Sequence, residues 1–162
     1  RPRHPLDAVS GRKLPPAPQT LREDTMRKPL LANASVTLTH CIRQGTSSNS
    51  YTVMLSGVSC REVSCVRTGS GNGFAPNSTT QICIFAGHTT IAPQSGTGAP
   101  VDAASTFLTP VAFKAAEEPQ RVSCWTLAPE DKVRLPSGRT GVVTSVQDNR
   151  TGRCPHWYVE VT

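Results

Sequence analysis

Long hydrophobic runs are missing from this sequence of 162 residues. A membrane-spanning helix needs about 20 consecutive apolar residues, and no segment of the chain approaches that length. The first residues also lack the hydrophobic segment of a secretory signal peptide. The sequence opens with arginine instead of methionine, so we expect a processed or partly recorded product. These absences argue against a membrane protein.

Recognisable catalytic and metal-binding motifs are also missing. No CxxC pair occurs, and the gap of five between Cys60 and Cys65 fits no common zinc site. The glycine-rich stretch at 69–73 lacks the lysine and the strand-to-helix setting of a phosphate-binding loop. No local signature sets a nucleophile beside a base and an orienting group. We therefore predict no enzymatic activity, no catalytic or metal site, no cofactor and no small-molecule substrate.

The composition favours short strands and turns over long helices. Only 36% of the residues are hydrophobic and 5% aromatic, whereas the chain contains 12 glycines and 14 prolines. Such a chain supports a modest core, and its length suits one domain with an appendage.

An arm precedes the domain at 1–34. It contains six of the 14 prolines and a net charge of +4 out of the +6 of the whole chain. Dense proline favours extended conformations, although Thr20 with Glu23 could cap one or two helical turns. An arm of this composition needs neighbouring subunits to order it. It has no aromatic residue for stacking on bases, so contact with acidic neighbouring subunits is favoured over nucleic-acid binding.

The β-rich domain covers 35–162 and closes with the clearest alternation in the chain. Within 125–161, apolar and polar residues alternate over three short stretches separated by turn residues, which predicts an antiparallel meander. Earlier alternating stretches predict four more strands. The predicted strands are 36–41, 51–55, 57–66, 79–85, 131–135, 140–147 and 156–161. The predicted fold class is mainly β, a small antiparallel barrel-like domain of SH3-like or sandwich type, with at most one or two short helices.

A long segment at 86–110 interrupts the strands. Its prolines and glycines exclude a long regular element, which predicts a protruding loop that is either functional or shaped by contacts. A short helix is possible over 101–108, and 111–118 is the best helix candidate, with Pro119 ending it.

The six cysteines leave three interpretations open: buried free thiols that act as small hydrophobic groups, a disulfide framework, or metal ligands. Free thiols are favoured. Three glycosylation sequons, at Asn33, Asn77 and Asn149, agree weakly with the disulfide interpretation.

Two regions resemble a known family. The first is VTLTHCIRQGTSSNSYTVMLSGVSCRE, a strand, a polar turn and an aromatic residue that starts a second strand. The second is the ending, with Trp125, the VQDNR turn at 146–150 and the HWYV run at 156–159. Both resemble tailed-bacteriophage minor capsid or head–tail connector proteins over 35–162. The arm and the short PSGRTG connection at 136–141 depart from the family's pattern.

The resemblance implies a non-enzymatic virion component, assembled in the host cytoplasm. It would be a head-closure (stopper) or adaptor ring subunit, a homo-oligomer that contacts portal, capsid or tail proteins. The candidate subunit contacts are basic arm residues and three loop residues: Arg1, Arg3, Arg12, Lys13, Arg22, Arg27, Lys28, His88, Ile91 and Phe107. If the chain lines a DNA conduit, four arginines are candidates for non-specific phosphate contact: Arg134, Arg139, Arg150 and Arg153.

Two alternatives remain. One is a capsid decoration (cement) protein whose arm clamps capsomers, and the other is a secreted, disulfide-bonded β domain glycosylated at the three sequons. Copy number in purified particles separates the first from a ring subunit. Intact mass with and without reductant separates the second.

Overall fold

The computed structural model describes residues 32–68, 74–92 and 99–162, without the side chains of 65–68 and 74–77. Its strands, in chain order, are β1 (Ala34–Gln44), β2 (Ser47–Thr68), β3 (Phe74–Phe85), β4 (Thr90–Ala92), β5 (Val101–Asp102), β6 (Lys132–Arg134), β7 (Thr140–Asp148) and β8 (His156–Val161). Between β5 and β6 lie a 3-10 turn (Ala104–Thr106) and two short helices, α1 (Pro110–Ala115) and α2 (Glu118–Ser123).

Six strands close an antiparallel barrel in the order β1-β6-β7-β8-β3-β2, and β1 pairs with β2 to complete it. The predicted class, mainly β and barrel-like with short helices, is confirmed. The alternation that predicted the strands also fills the barrel, because every second side chain of a strand faces inward. In β8, for example, Trp157, Val159 and Val161 are buried.

The two tryptophans meet at the centre of the core. Their ring centroids lie 5.3 Å apart in an edge-to-face arrangement, and neither side chain is more than 1% exposed. Trp125 Nε1 donates a hydrogen bond of 2.7 Å to the carbonyl oxygen of Ala103. Aromatic pairs of this geometry add to the stabilisation from area burial alone.

A glycine bends the longest strand where it changes partners. β2 pairs with β1 as far as Val58 and with β3 from Ser59 onward. Gly57 has a φ of 81°, and a Cβ there would lie 3.2 Å from the carbonyl oxygen of His88. A residue without a side chain fits both requirements. The sequence predicted two separate strands here, whereas the backbone continues through the bend.

The prediction of a protruding loop over 86–110 needs correction. In its described part the chain folds back, so that β4 pairs with β2 and β5 pairs with β4. Thr89 is fully buried and anchors this return, because its hydroxyl donates to the Gly57 carbonyl at 3.0 Å and accepts from the Phe85 amide at 2.9 Å. Residues 93–98 lie outside the described part.

Both helix predictions also change. The expected helix at 101–108 is instead β5 followed by the 3-10 turn, whose Ser105 amide donates to the Asp102 carboxylate at 3.1 Å. The expected helix at 111–118 is replaced by α1, which ends at Ala115, and by α2, which begins at Glu118. Pro119 therefore lies in the first turn of the second helix instead of ending the first, a position where its missing amide costs little.

The helices cover one part of the barrel surface. Phe113 of α1 is fully buried and packs edge-to-face against Tyr51 and His40, with ring centroids 5.2 and 5.5 Å away. Arg121 of α2 ties the two helices together by donating to the carbonyl oxygens of Phe113 and Lys114, at 3.1 and 2.8 Å. Among the described helices, none is long and apolar enough to cross a membrane.

Candidate functional site: a projecting ribbon

The second half of β2 and the first half of β3 leave the barrel as a two-stranded ribbon. We use this name for 63–68 and 74–79, whose six residue pairs run from Val63–Thr79 to Thr68–Phe74. β8 ends opposite Thr80, and the residue after it, Thr162, bonds back to Val142. Within the described residues, no third strand pairs with the ribbon, which projects about 20 Å at 3.4 Å per residue pair.

An arginine from the turn between β6 and β7 holds the base of the ribbon. Arg139 donates to the hydroxyl oxygens of Ser78 and Thr80, at 3.1 Å each, and lies 3.8 Å from the Glu62 carboxylate. Thr80 is fully buried, so this contact reaches into the barrel end. Arg139 was a candidate for phosphate contact, but the structure engages its guanidinium in positioning the ribbon.

The thiol of Cys60 lies next to this base. Burial raises its pKa, the Glu62 carboxylate raises it further, and the Arg139 charge opposes the shift. Cys60 packs against the main core, in keeping with a small hydrophobic role.

Arg150, a second candidate for phosphate contact, also has its guanidinium bound within the fold. Its guanidinium forms three hydrogen bonds of 2.7 to 3.0 Å with the Asp148 carboxylate and lies 4.9 and 4.7 Å from the ring centroids of Phe107 and Trp157. These hydrogen bonds lower the pKa of Asp148 and raise that of Arg150. The charge is therefore paired locally and lies over the aromatic core.

The four arginines do not converge. Arg134 and Arg139 lie before β7, and Arg150 and Arg153 follow it. The nine residues of that strand separate the two pairs by about 30 Å along the chain. Arg134 and Arg153 are exposed, so they remain available for the predicted phosphate contact.

Two of the three loop candidates for subunit contact are core residues. Ile91 is 2% exposed and pairs with Leu55 in the sheet. Phe107 is half-buried between the tryptophans, with ring centroids 5.0 Å from Trp125 and 4.8 Å from Trp157. The folding back of the loop onto β2 explains both corrections. His88 is half-buried in the same turn, and the seven arm candidates, Arg1 to Lys28, lie outside the described residues.

A groove of about 510 Å³ runs between β1 and the segment that leads into β6. At its edge His40 Nδ1 lies 2.6 Å from Asp131 Oδ1, and Asp131 Oδ2 accepts from the Ala128 amide at 2.8 Å. Asp131 is buried, so His40 and Ala128 supply the partners that a buried carboxylate requires. Within the described residues, the His40 side chain forms no hydrogen bond other than the one with Asp131, which indicates a structural pair.

Sequence patterns missed this pair, which joins residues 91 positions apart. His40 continues the inward-facing series of Val36 and Leu38, and that alternation was an available signal for burial. Nothing local pointed to Asp131, because the contact depends on how β1 and β6 pair.

The five cysteines whose side chains are described are free thiols: Cys41, Cys60, Cys83, Cys124 and Cys154. Burial, and secondarily the neighbouring Cys154, raise the pKa of Cys83. Among the described residues, no group of three or more histidine, cysteine or acidic side chains is arranged to hold a metal ion.

In comparisons with known proteins, no protein-family profile, curated protein or solved structure matches the chain.

Proposed function

We propose that this chain is a non-enzymatic structural protein of a tailed-phage virion, a connector or head-closure ring subunit at the head–tail junction. The observation that carries the proposal is the ribbon, which extends beyond the barrel and, within the described residues, pairs with no third strand. Ring assembly joins different patches on successive subunits. A projection supplies contact area for such a joint without enlarging the domain.

The family resemblance supports the same function. Its most specific residues, Asp148 to Arg150 and His156-Trp157, lie around one corner of the core, where Arg150 packs over Trp157. These residues shape the barrel, so the resemblance bears on a shared scaffold. The partners implied are neighbouring copies and portal, adaptor, capsid or tail proteins.

The decisive experiment counts the protein in purified particles of the phage that encodes it. We expect a ring-sized number of copies, far fewer than the major capsid protein, and we expect particles that lack the chain to lose packaged DNA and fail to join tails. A copy number comparable to that of the major capsid protein would instead identify a cement protein. Absence from particles would overturn both functions.

A ribbon variant tests the observation itself. Replacing 63–79 by an Asn-Gly turn between Glu62 and Thr80 shortens the projection and keeps every barrel strand. We expect a folded barrel that no longer enters particles. The matched control is Gln147→Ala, an exposed change in β7, which should enter normally. Normal entry of the shortened variant would remove the ribbon from the assembly interface.

The contact with packaged DNA requires a narrower test than the sequence suggested. Charge reversal of Arg139 would disturb the base of the ribbon, and charge reversal of Arg150 would disturb the contact with the aromatic core. A loss of DNA retention in either variant could therefore come from a change in structure instead of a lost phosphate contact. Arg134→Glu with Arg153→Glu alters only the exposed pair. We expect reduced DNA retention in filled heads, and unchanged retention would remove DNA from the list of partners.

A further inference from the structure

The groove beside the His40–Asp131 pair has no part in the proposed function. Three segments line it: the end of β1, the helix α1, and residues 129–131 with the first residue of β6. Its volume of about 510 Å³ lies within the range of about 300–1,000 Å³ that is typical of small-molecule sites. The groove is therefore large enough to hold a ligand of its own.

The charged side chains around the groove are mostly positive. Arg43, Lys114 and Lys132 contribute three cations, and all three residues are exposed. The two carboxylates of the lining belong to Glu130, which is exposed, and to Asp131, which is buried. Within the described residues, none of the three cations forms an ion pair. Their charges are therefore available to an anionic ligand.

His40 adds a polar group that the fold holds in place at the edge of the groove. Thr39 pairs with Lys132 at the last step of the β1–β6 ladder, and one residue further His40 meets Asp131. Nδ1 of the ring lies 2.6 Å from the Asp131 carboxylate, and the ring packs edge-to-face against Phe113. Among the described residues, Nε2 forms no hydrogen bond. The His40 side chain is 15% exposed, so part of the ring faces the groove that it lines.

We propose that this groove binds a small phosphate-bearing ligand through the cations of Arg43, Lys114 and Lys132. His40 Nε2 adds a hydrogen bond to the same ligand. A phosphate monoester carries a charge of about −1.5 to −2 at neutral pH and three strong acceptor oxygens. Glu130 offsets one of the three cations, and the two that remain match one phosphate group. A single carboxylate, by contrast, is already matched by one arginine.

The arrangement of the cations favours a small ligand over a nucleic acid. A nucleic-acid footprint is a stripe or patch of basic residues along one face or one helix, whereas these cations come from β1, α1 and β6 around one cavity. The lining also contains no phenylalanine, tyrosine or tryptophan on which a base could stack. A ligand held here is bound without being transformed, so no small-molecule substrate is implied. The site goes beyond the proposed function, because it holds whether or not the protein belongs to a virion.

Isothermal titration calorimetry of the full chain with inorganic pyrophosphate tests the proposal. We expect saturable binding, and Lys132→Ala should weaken it about tenfold, because a hydrogen bond between charged groups is lost. The matched control is Arg134→Ala, which removes an equal charge from the same exposed side of β6 but lies outside the groove. The control should bind within about twofold of the unaltered chain, since salt screens exposed charges that do not touch the ligand.

The role of His40 has a test of its own. His40→Asn keeps a nitrogen donor for Asp131 and removes the atom that would reach the ligand, so we expect weaker binding. NMR of the unaltered chain gives the same information without a substitution. Pyrophosphate should shift the Nε2 resonance of His40 and leave that of His156, which lies 3.4 Å from Asn149 Nδ2, in place.

Four results would overturn the proposal. Absence of saturable pyrophosphate binding would exclude a phosphate site. Equal losses for Lys132→Ala and Arg134→Ala would show a general attraction between charges instead of a site. Citrate binding as tight as that of pyrophosphate would assign the groove to carboxylates. Binding of a short DNA duplex that depends on Lys132, without pyrophosphate binding, would assign it to nucleic acid. None of these measurements uses phage particles, so failure here is distinguishable from failure of the proposed function.

Discussion

The barrel and the ribbon are built from the same two strands and are stabilised differently. In the barrel, β2 and β3 have neighbours on both sides and direct Val58, Ile82 and Ile84 into one core. In the ribbon, the described strands pair only with each other. Burial of apolar area dominates folding free energy, so the barrel halves should be the stable ones. One strand can thus serve a scaffold with one half and a projection with the other.

The largest expected effect is a loss of barrel stability. Trp157→Ala removes a fully buried ring from the cluster with Trp125 and Phe107. Truncation of a buried tryptophan typically costs about 3–5 kcal/mol, so we expect a fall of that size in the free energy of unfolding, measured by urea denaturation followed by circular dichroism. A loss below about 1 kcal/mol would show that the barrel core does not dominate stability.

A matched pair of substitutions compares the two regions directly. Val159→Ala in β8 removes methyl groups that are 1% exposed, and the same change at half-buried Val63 alters the ribbon. We expect a loss of about 2 kcal/mol for Val159→Ala and less than about 1 kcal/mol for Val63→Ala, because each buried methyl contributes about 0.8 kcal/mol or more. Equal losses by urea denaturation would contradict the distinction between barrel and ribbon.

The bend at Gly57, in the barrel half of β2, should have an intermediate effect. Gly57→Ala places a side chain at positive φ and against the His88 carbonyl, which we expect to cost about 1–3 kcal/mol. Gly138→Ala is the control, because its φ of 84° is similar but no atom lies within 4 Å of the added Cβ. Thermal unfolding should show a larger loss for Gly57→Ala. The same loss in both variants would mean that backbone strain alone acts and that the close approach is unimportant.

The smallest effect concerns the surface of the barrel. Arg150 lowers the pKa of Asp148, so the folded state is stabilised above the unfolded-state pKa of about 3.9, and this contribution is lost as the pH falls through the lower folded-state value. We expect Arg150→Gln to raise the pKa of Asp148 toward that of a free aspartate, by carboxyl NMR titration. The loss of stability attributable to the ion pair should be at most about 1 kcal/mol at neutral pH, since Asp148 is largely exposed.

The same titration carries its own check. At a pH well below the pKa of Asp148, the ion-pair contribution disappears, so the stability difference between the two proteins should shrink. The contact of Arg150 with the rings persists in acid and sets the remaining difference. An unchanged Asp148 pKa in the variant would show that Arg150 is not its cause.

The sequence predicted the strands of the barrel better than the connections between them. Alternation located β7 and β8 almost to the residue, because a half-buried strand must repeat every two positions. It could not show that β2 continues through Gly57, since a glycine there is compatible with both a break and a bend. Pro119 had the same ambiguity, as proline either ends one helix or begins the next.

The candidate site was less accessible from the sequence. The predicted strands at 57–66 and 79–85 leave the glycine-rich stretch at 69–73 between them, but nothing in the local sequence shows how far these strands extend past the end of β8. That projection depends on where β8 stops, almost a hundred residues later. The roles of Arg139 and Arg150 could not be predicted for a similar reason. An unpaired arginine and a paired one look the same in the sequence, and only the fold shows which groups lie beside each side chain.

The position of the tryptophans has a spectroscopic consequence. The chain contains two of them, and both lie in the barrel at close range. Intrinsic fluorescence therefore reports on the barrel alone and stays silent about the ribbon, while the edge-to-face pair should give a strong near-ultraviolet dichroism signal that vanishes on unfolding. Fluorescence and near-ultraviolet dichroism therefore follow the barrel, whereas amide hydrogen exchange also follows the ribbon. A condition that opens the ribbon first would speed amide exchange in the ribbon before it changes the fluorescence.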